Sequence, residues 1–259
     1  MAQQFGFRLD ISMDIDRLTR SLSQLEHESI PFWTANALTK TAQDIKTAEV
    51  EEMKRVFDRP TRFTLNALYI KPATKRDLTA AVMFKDEGGT PAWRYLGPQV
   101  ESGVRSHKGF EKRLIAIGYM HPDEFVVPGK GAQLDAYGNI SGGLWQRIIS
   151  DLGLQRDPLQ NTTAAARKRN KSKKRGRYIV LRPDWPVQPL YANLVRDIPP
   201  GIYHKASGGN AIVPVVMFVR TPNYKKRLDY YGLAKRVLQQ RFGANFRLAM
   251  QKYPHRSMR

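Results

Sequence analysis

The stretch PFWTANALTKTAQDIKTAEVEEMKRVF, residues 31–57, decides the fold. Its apolar positions Phe32, Trp33, Leu38, Ala42, Ile45, Ala48, Val50, Met53, Val56 and Phe57 recur at spacings of three and four, the period of one helix face. Pro31, after Ser29 and Ile30, suits a first turn, and Arg59-Pro60 marks the end. The expected helix has about 26 residues and is roughly 40 Å long. Residues 224–253 read as a second long helix, with Leu228, Tyr231, Leu233, Val237, Leu238, Phe242, Phe246 and Met250 apolar and the basic residues mostly opposite. Gly232 and Gly243 are positions where it could bend or fray. Trp33, Phe57, Phe242 and Phe246 each require a broad apolar partner surface. One sheet formed by strands from both halves of the chain, with both helices packed on it, would provide it. The expected fold is therefore α+β, an antiparallel or mixed sheet packed by long N-terminal and C-terminal helices.

Working outward from the first helix, residues 63–71 and 78–85 read as strands, joined by the polar loop Pro72-Ala73-Thr74-Lys75-Arg76-Asp77 into an antiparallel pair. Upstream, residues 13–25 fit a short polar helix with Ser12 or Asp14 as its cap. Past the break at Gly88-Gly89-Thr90-Pro91, residues 93–100 look extended and residues 104–117 helical, closed by a turn at Gly118. Ser141 caps a helix over residues 142–154 that buries Leu144, Trp145, Ile148, Ile149 and Leu152. Residues 178–181, 202–204 and 211–219 complete the strands. The last is the most apolar and so the central one, which confines Pro214 to a bulge or an edge. Residues 155–177 read as a basic loop inserted into a single domain spanning residues 1–259.

The 259 residues carry 43 Lys and Arg against 23 Asp and Glu, a net charge of +20. Residues 1–154 are almost neutral, with 20 basic and 19 acidic side chains, whereas residues 155–259 hold 23 basic and only 4 acidic. Eight of eleven positions from 167 to 177 are positive: Arg167, Lys168, Arg169, Lys171, Lys173, Lys174, Arg175 and Arg177. Such a run is a solvated surface or a polyanion site, and these eight residues are the candidate DNA-binding group. With 41% hydrophobic residues the chain can bury a core. The longest apolar run has nine residues, short of the roughly 20 that cross a bilayer, so a soluble chain without a membrane partner is expected. The opening MAQQFGFRLDISMD shows no secretory signal, and export by that route is not expected.

Chemistry is harder to find. The absence of Cys excludes disulfides, thiolate metal sites and cysteine nucleophiles. The five histidines are scattered, with no HxH, HExxH or DxD spacing, so neither a metal nor a cofactor is expected. His121-Pro122-Asp123-Glu124, the densest titratable group, reads as an exposed turn. Gly129-Lys130-Gly131 lacks the spacing of a Walker loop, and no GxSxG elbow occurs. Tyr224-Lys225-Lys226-Arg227-Leu228-Asp229-Tyr230-Tyr231 interleaves rings with cations, but at helical spacing those rings read mainly as core.

The run Tyr95-Leu96-Gly97-Pro98-Gln99-Val100-Glu101-Ser102-Gly103-Val104-Arg105 opens a series of motifs that continues with Lys108, Phe110-Glu111 and Val127-Pro128-Gly129. It ends with Leu134-Asp135-Ala136-Tyr137-Gly138-Asn139-Ile140-Ser141. Over roughly residues 30–154 the chain resembles a family of prophage-encoded virion proteins. Ile212-Val213-Pro214-Val215-Val216-Met217-Phe218-Val219, then Tyr224-Lys225 and a long helix with Phe242 and Phe246, is similar to minor tail protein Z and the tail-completion group of tailed phages. The early helix with Ala35-Asn36-Ala37-Leu38 shares that pattern. The resemblance implies a structural virion protein without enzymatic activity, a subunit of a homo-oligomeric ring at the neck or tail that joins head and tail. Its implied neighbours are other phage proteins such as portal, adaptor or tail tube, and the basic part then either faces packaged DNA through non-specific phosphate contacts or grips acidic neighbours. The implied location is the virion, after synthesis in the host bacterial cytoplasm. Pro98, Gln99, Gly103, Arg105, Asp135, Tyr137, Gly138 and Asn139 stand as structural motif residues, with Gly103 and Gly138 expected at tight backbone and Asn139 at a turn. The alternatives are a DNA-binding or DNA-processing phage protein, such as a nuclease, and an assembly chaperone.

Overall fold

A computed structural model describes residues 6–10, 24–86, 90–172, 176–183, 198–207, 211–220 and 225–254. The expected helix at residues 13–25 falls mainly outside them. Where the sequence suggested one sheet with strands from both halves, the strands form two separate sheets, and the chain divides into two compact units, residues 1–105 with 224–259, and residues 106–223.

In the first unit a three-stranded antiparallel sheet has the order β1 (Gly6–Asp10), β3 (Thr79–Phe84), β2 (Leu68–Lys71). Helix α1 (Gln24–Val56) packs on it, starting before the expected Pro31, and α7 (Tyr230–Lys252) lies along α1. The two helices run antiparallel. The Trp33 indole N–H donates to the Tyr253 carbonyl at 2.8 Å, and Asn245 Nδ2 reaches Thr41 Oγ1 at 3.0 Å and Asp44 Oδ2 at 2.9 Å. Leu38, Ala42, Ile45 and Met53 of α1 meet Leu68, Val82 and Phe84 of the sheet and Leu228, Tyr230 and Ala234 of the C-terminal segment in one core. The buried Tyr230 hydroxyl donates to the Val82 carbonyl at 2.7 Å, so its polar end is satisfied.

The hairpin of β2 and β3 forms as expected, closed by Thr74 and Asp77: the Thr74 N–H donates to the Asp77 carbonyl, and the Asp77 N–H to Thr74 Oγ1. Its first strand is shorter than expected. Thr61 accepts from the Thr64 N–H and caps a helical turn, α2 (Arg62–Leu65). Residues 93–100, expected extended, form helix α3 (Trp93–Glu101). Trp93, Leu96 and Val100 sit three, four and seven apart, and the Trp93 ring folds against Gly97, where a Cβ would approach within 2.9 Å of the indole. Pro98 obscured that period, because an interior proline usually argues against a helix.

The second unit is a four-stranded antiparallel sheet in the order β4 (Glu124–Pro128), β7 (Ile212–Arg220), β6 (Gly201–Lys205), β5 (Arg177–Leu181). As expected, β7 is interior, and Pro214 lies at a bulge: Tyr203 pairs with Pro214 and Ile202 with Val216. On its other edge Gly131 and Gly129 continue the ladder past β4, donating to the Pro214 and Val215 carbonyls at 2.8 and 2.9 Å. Helix α4 (Gly109–Ala116) and helix α5 (Gly142–Asp151) supply Leu114, Leu144, Ile148 and Ile149 to a core with Ile202, Val216 and Phe218. Ser141 caps α5 by accepting from the Leu144 N–H, as its position suggested. The expected turn at Gly118 is present, at φ +76°, with the Tyr119 and Met120 N–H groups donating back to the Leu114 carbonyl.

The basic segment departs from expectation. Residues 155–177 hold a short 3-10 turn (Pro158–Gln160) and helix α6 (Ala164–Ser172). Three alanines, the best helix formers, open α6, and Thr163 Oγ1 accepts from the Ala166 N–H at 3.1 Å. Charge density in the sequence hid this local helix propensity.

Candidate polyanion interface

Charge sorts differently on the fold than along the sequence. Because the ten basic residues from 225 to 259 belong to the first unit, that unit carries 25 basic and 15 acidic side chains and the second carries 18 and 8. Each unit is therefore +10, and the neutral half of the sequence is not a neutral half of the protein.

Of the eight candidate DNA-binding residues, Arg167, Lys168 and Arg169 are exposed on α6, and Arg177 is exposed at the start of β5. Arg167 donates to the Asp151 carbonyl at 3.4 Å, placing its cation at the carbonyl end of α5, where the helix dipole favours it. Lys171 lies in the last turn of α6, its side chain outside the described residues, as are Lys173, Lys174 and Arg175.

Beside α6 the second unit holds a cleft of about 920 Å³, lined in part by Arg147, Asp151, Asn170, Gly176, Tyr178 and His204. The Tyr178 and His204 rings stand 5.1 Å apart at 54°. Gly176 has no room for a side chain: a Cβ there would collide with the His204 ring and the Lys205 carbonyl. Burial, helped by Asp151 and opposed by Arg147, holds the Tyr178 phenol above its ordinary pKa, so it stays a hydrogen-bond donor at neutral pH. The Asp151 carboxylate faces its own wall, accepting from Thr162 Oγ1 at 2.8 Å and the Tyr178 N–H at 3.4 Å. Sequence reading did not find this cleft, because Arg147, Tyr178 and His204 are scattered along the chain and come together only in the fold.

The motif residues lie in helix α3, in the segment just after it and in one turn. Gln99 of α3 accepts the Arg227 and Leu228 N–H groups on its carbonyl at 2.8 and 2.9 Å, tying the C-terminal segment to α3 just before α7; Pro98 lies one residue earlier in the same helix. Gly103 takes φ +109° and Gly138 φ +77°, as expected of tight backbone. Arg105 ends the first unit, half-buried. Asp135 Oδ1 accepts from the Tyr137 and Asn139 N–H groups, both at 2.9 Å, which fixes the turn expected at Asn139 and holds Tyr137 exposed at its tip.

The tetrad at residues 121–124 is only partly an exposed turn. His121 and Asp123 are exposed, but Glu124 is buried and pairs with Arg182 at 2.6 and 3.2 Å. No group of three or more His, Asp or Glu side chains suited to a metal ion occurs among the described residues. No described helix is long and apolar enough to cross a membrane. The chain matches no protein-family model, no curated protein and no solved structure.

Proposed function

We propose that the chain is a structural protein of a tailed-phage virion, a ring-forming subunit of the neck or tail that acts by binding. The observation that carries the binding is the charge: each unit keeps a surplus of ten positive side chains, which the carboxylates in that unit cannot neutralise. Countercharge comes from salt, from acidic neighbouring subunits or from DNA phosphate, and the last two are the proposed partners. The virion setting rests on the resemblance at residues 95–105, 127–129 and 134–141 and in the two terminal helices.

The test is composition. Particles of the encoding phage should contain the chain at the copy number of a ring. A chain found only in infected-cell lysate would favour an assembly chaperone. Metal-dependent DNA cleavage by the purified protein would favour the DNA-processing alternative.

A further inference from the structure

The cleft beside α6 is lined by one guanidinium, Arg147, one carboxylate, Asp151, and otherwise by neutral side chains and Gly176. Its one carboxylate, Asp151, already accepts from Thr162 Oγ1 and the Tyr178 N–H. Gln146 Oε1 accepts from Gln155 Nε2 at 3.1 Å, which leaves the Gln146 amide N–H groups to point elsewhere. The Ser150 hydroxyl donates to the Gln160 carbonyl at 3.0 Å. Arg147 is exposed at the cleft and makes no ion pair among the described residues, although its charge is close enough to act on Tyr178. The Tyr178 hydroxyl and the Asn170 amide likewise have no hydrogen bond there. A pocket whose one carboxylate is engaged on its own wall while a guanidinium, a phenol O–H and an amide NH2 are open can seat an oxyanion.

We infer that this cleft seats one phosphate group of a nucleic-acid strand, with Arg147 as the pairing cation and Tyr178 and Asn170 as further donors. This deepens the proposed function and rests on its polyanion part. It adds a fixed anchor to the diffuse attraction of Arg167, Lys168 and Arg169, which stand on the neighbouring helix. Guanidinium suits the role because its planar fork matches two phosphate oxygens at once. No base edge is read, so the seat accepts any sequence.

The test is duplex-DNA binding by the purified full chain across a salt series, for wild type, Arg147→Gln and Lys168→Gln, with inorganic phosphate as a competitor at matched ionic strength. Arg147→Gln should reduce the slope of log affinity against log salt by about 0.9, the value of one phosphate contact, with melting unchanged because the side chain is exposed and makes no ion pair among the described residues. Phosphate should displace DNA from wild type and lose that effect in Arg147→Gln, while remaining effective in Lys168→Gln. Binding by wild type with an unaltered slope in Arg147→Gln overturns the cleft and leaves the polyanion reading standing. No salt-dependent binding by wild type overturns both. The presence of the chain in particles, measured separately, is untouched by either result.

Discussion

Glu49 is the residue most at odds with its surroundings. It lies four residues after Ile45 and four before Met53, on the buried stripe of α1, and neither carboxylate oxygen has a hydrogen-bond partner. Burial, reinforced by the nearby charges of Glu52 and Asp229 and eased by Arg236, pushes its pKa up to about 9. The folded state therefore holds a proton that the unfolded state, near 4.5, releases. This makes stability greatest below about pH 4.5 and erodes it as pH rises towards 9. Glu49→Gln should match wild type in acid and exceed it at pH 7 by about 3 kcal/mol, from roughly 1.4 kcal/mol per pH unit over that window. Denaturant midpoints at pH 4 and pH 8 measure it; equal gains at both would refute the titration. Glu124 and Arg182 show the opposite arrangement, a buried pair with side chains 4% and 2% exposed, in which the carboxylate also accepts from the His121 N–H and the guanidinium also reaches the Tyr119 carbonyl. Glu124→Gln removes the countercharge of the buried guanidinium and should cost about 3–5 kcal/mol in a melting experiment.

At the scale of elements, legibility followed periodicity. The long helices, the strand around Val216 and the Ser141 cap could be read because three-and-four spacing, an unbroken apolar run and a capping residue are local signals. Helix α3 and helix α6 were missed, since Pro98 in one and the cationic run in the other outweighed a sound local pattern. Strand β1 was missed because its pairing with β3, from Gly6 against Met83 to Asp10 against Thr79, is entirely non-local. Glu49 could have been found: its position between Ile45 and Met53 on one helical stripe was visible in the sequence. The end of α4 offers a clean substitution. Gly118 has φ +76°, and no atom lies within 4 Å of the point a methyl group would occupy, so Gly118→Ala changes backbone conformational energy alone. A loss of about 1 kcal/mol is expected in chemical denaturation, and a neutral result would show that the turn relaxes.

For the whole molecule, the units and the charge lead to separate measurements. Leu114, Ile148, Ile202, Val216 and Phe218 form a core drawn from residues 106–223 alone, so an excised segment of those residues should melt cooperatively by itself. Failure of that fragment to fold would favour the single domain expected from sequence. The central claim, a virion protein that binds through its uncompensated positive charge, meets its most direct test in purified particles of the encoding phage. Mass spectrometry with copy-number calibration should find the chain there in ring stoichiometry, retained after nuclease treatment and washing. Its absence from mature particles, with the protein present in the lysate, would contradict the claim.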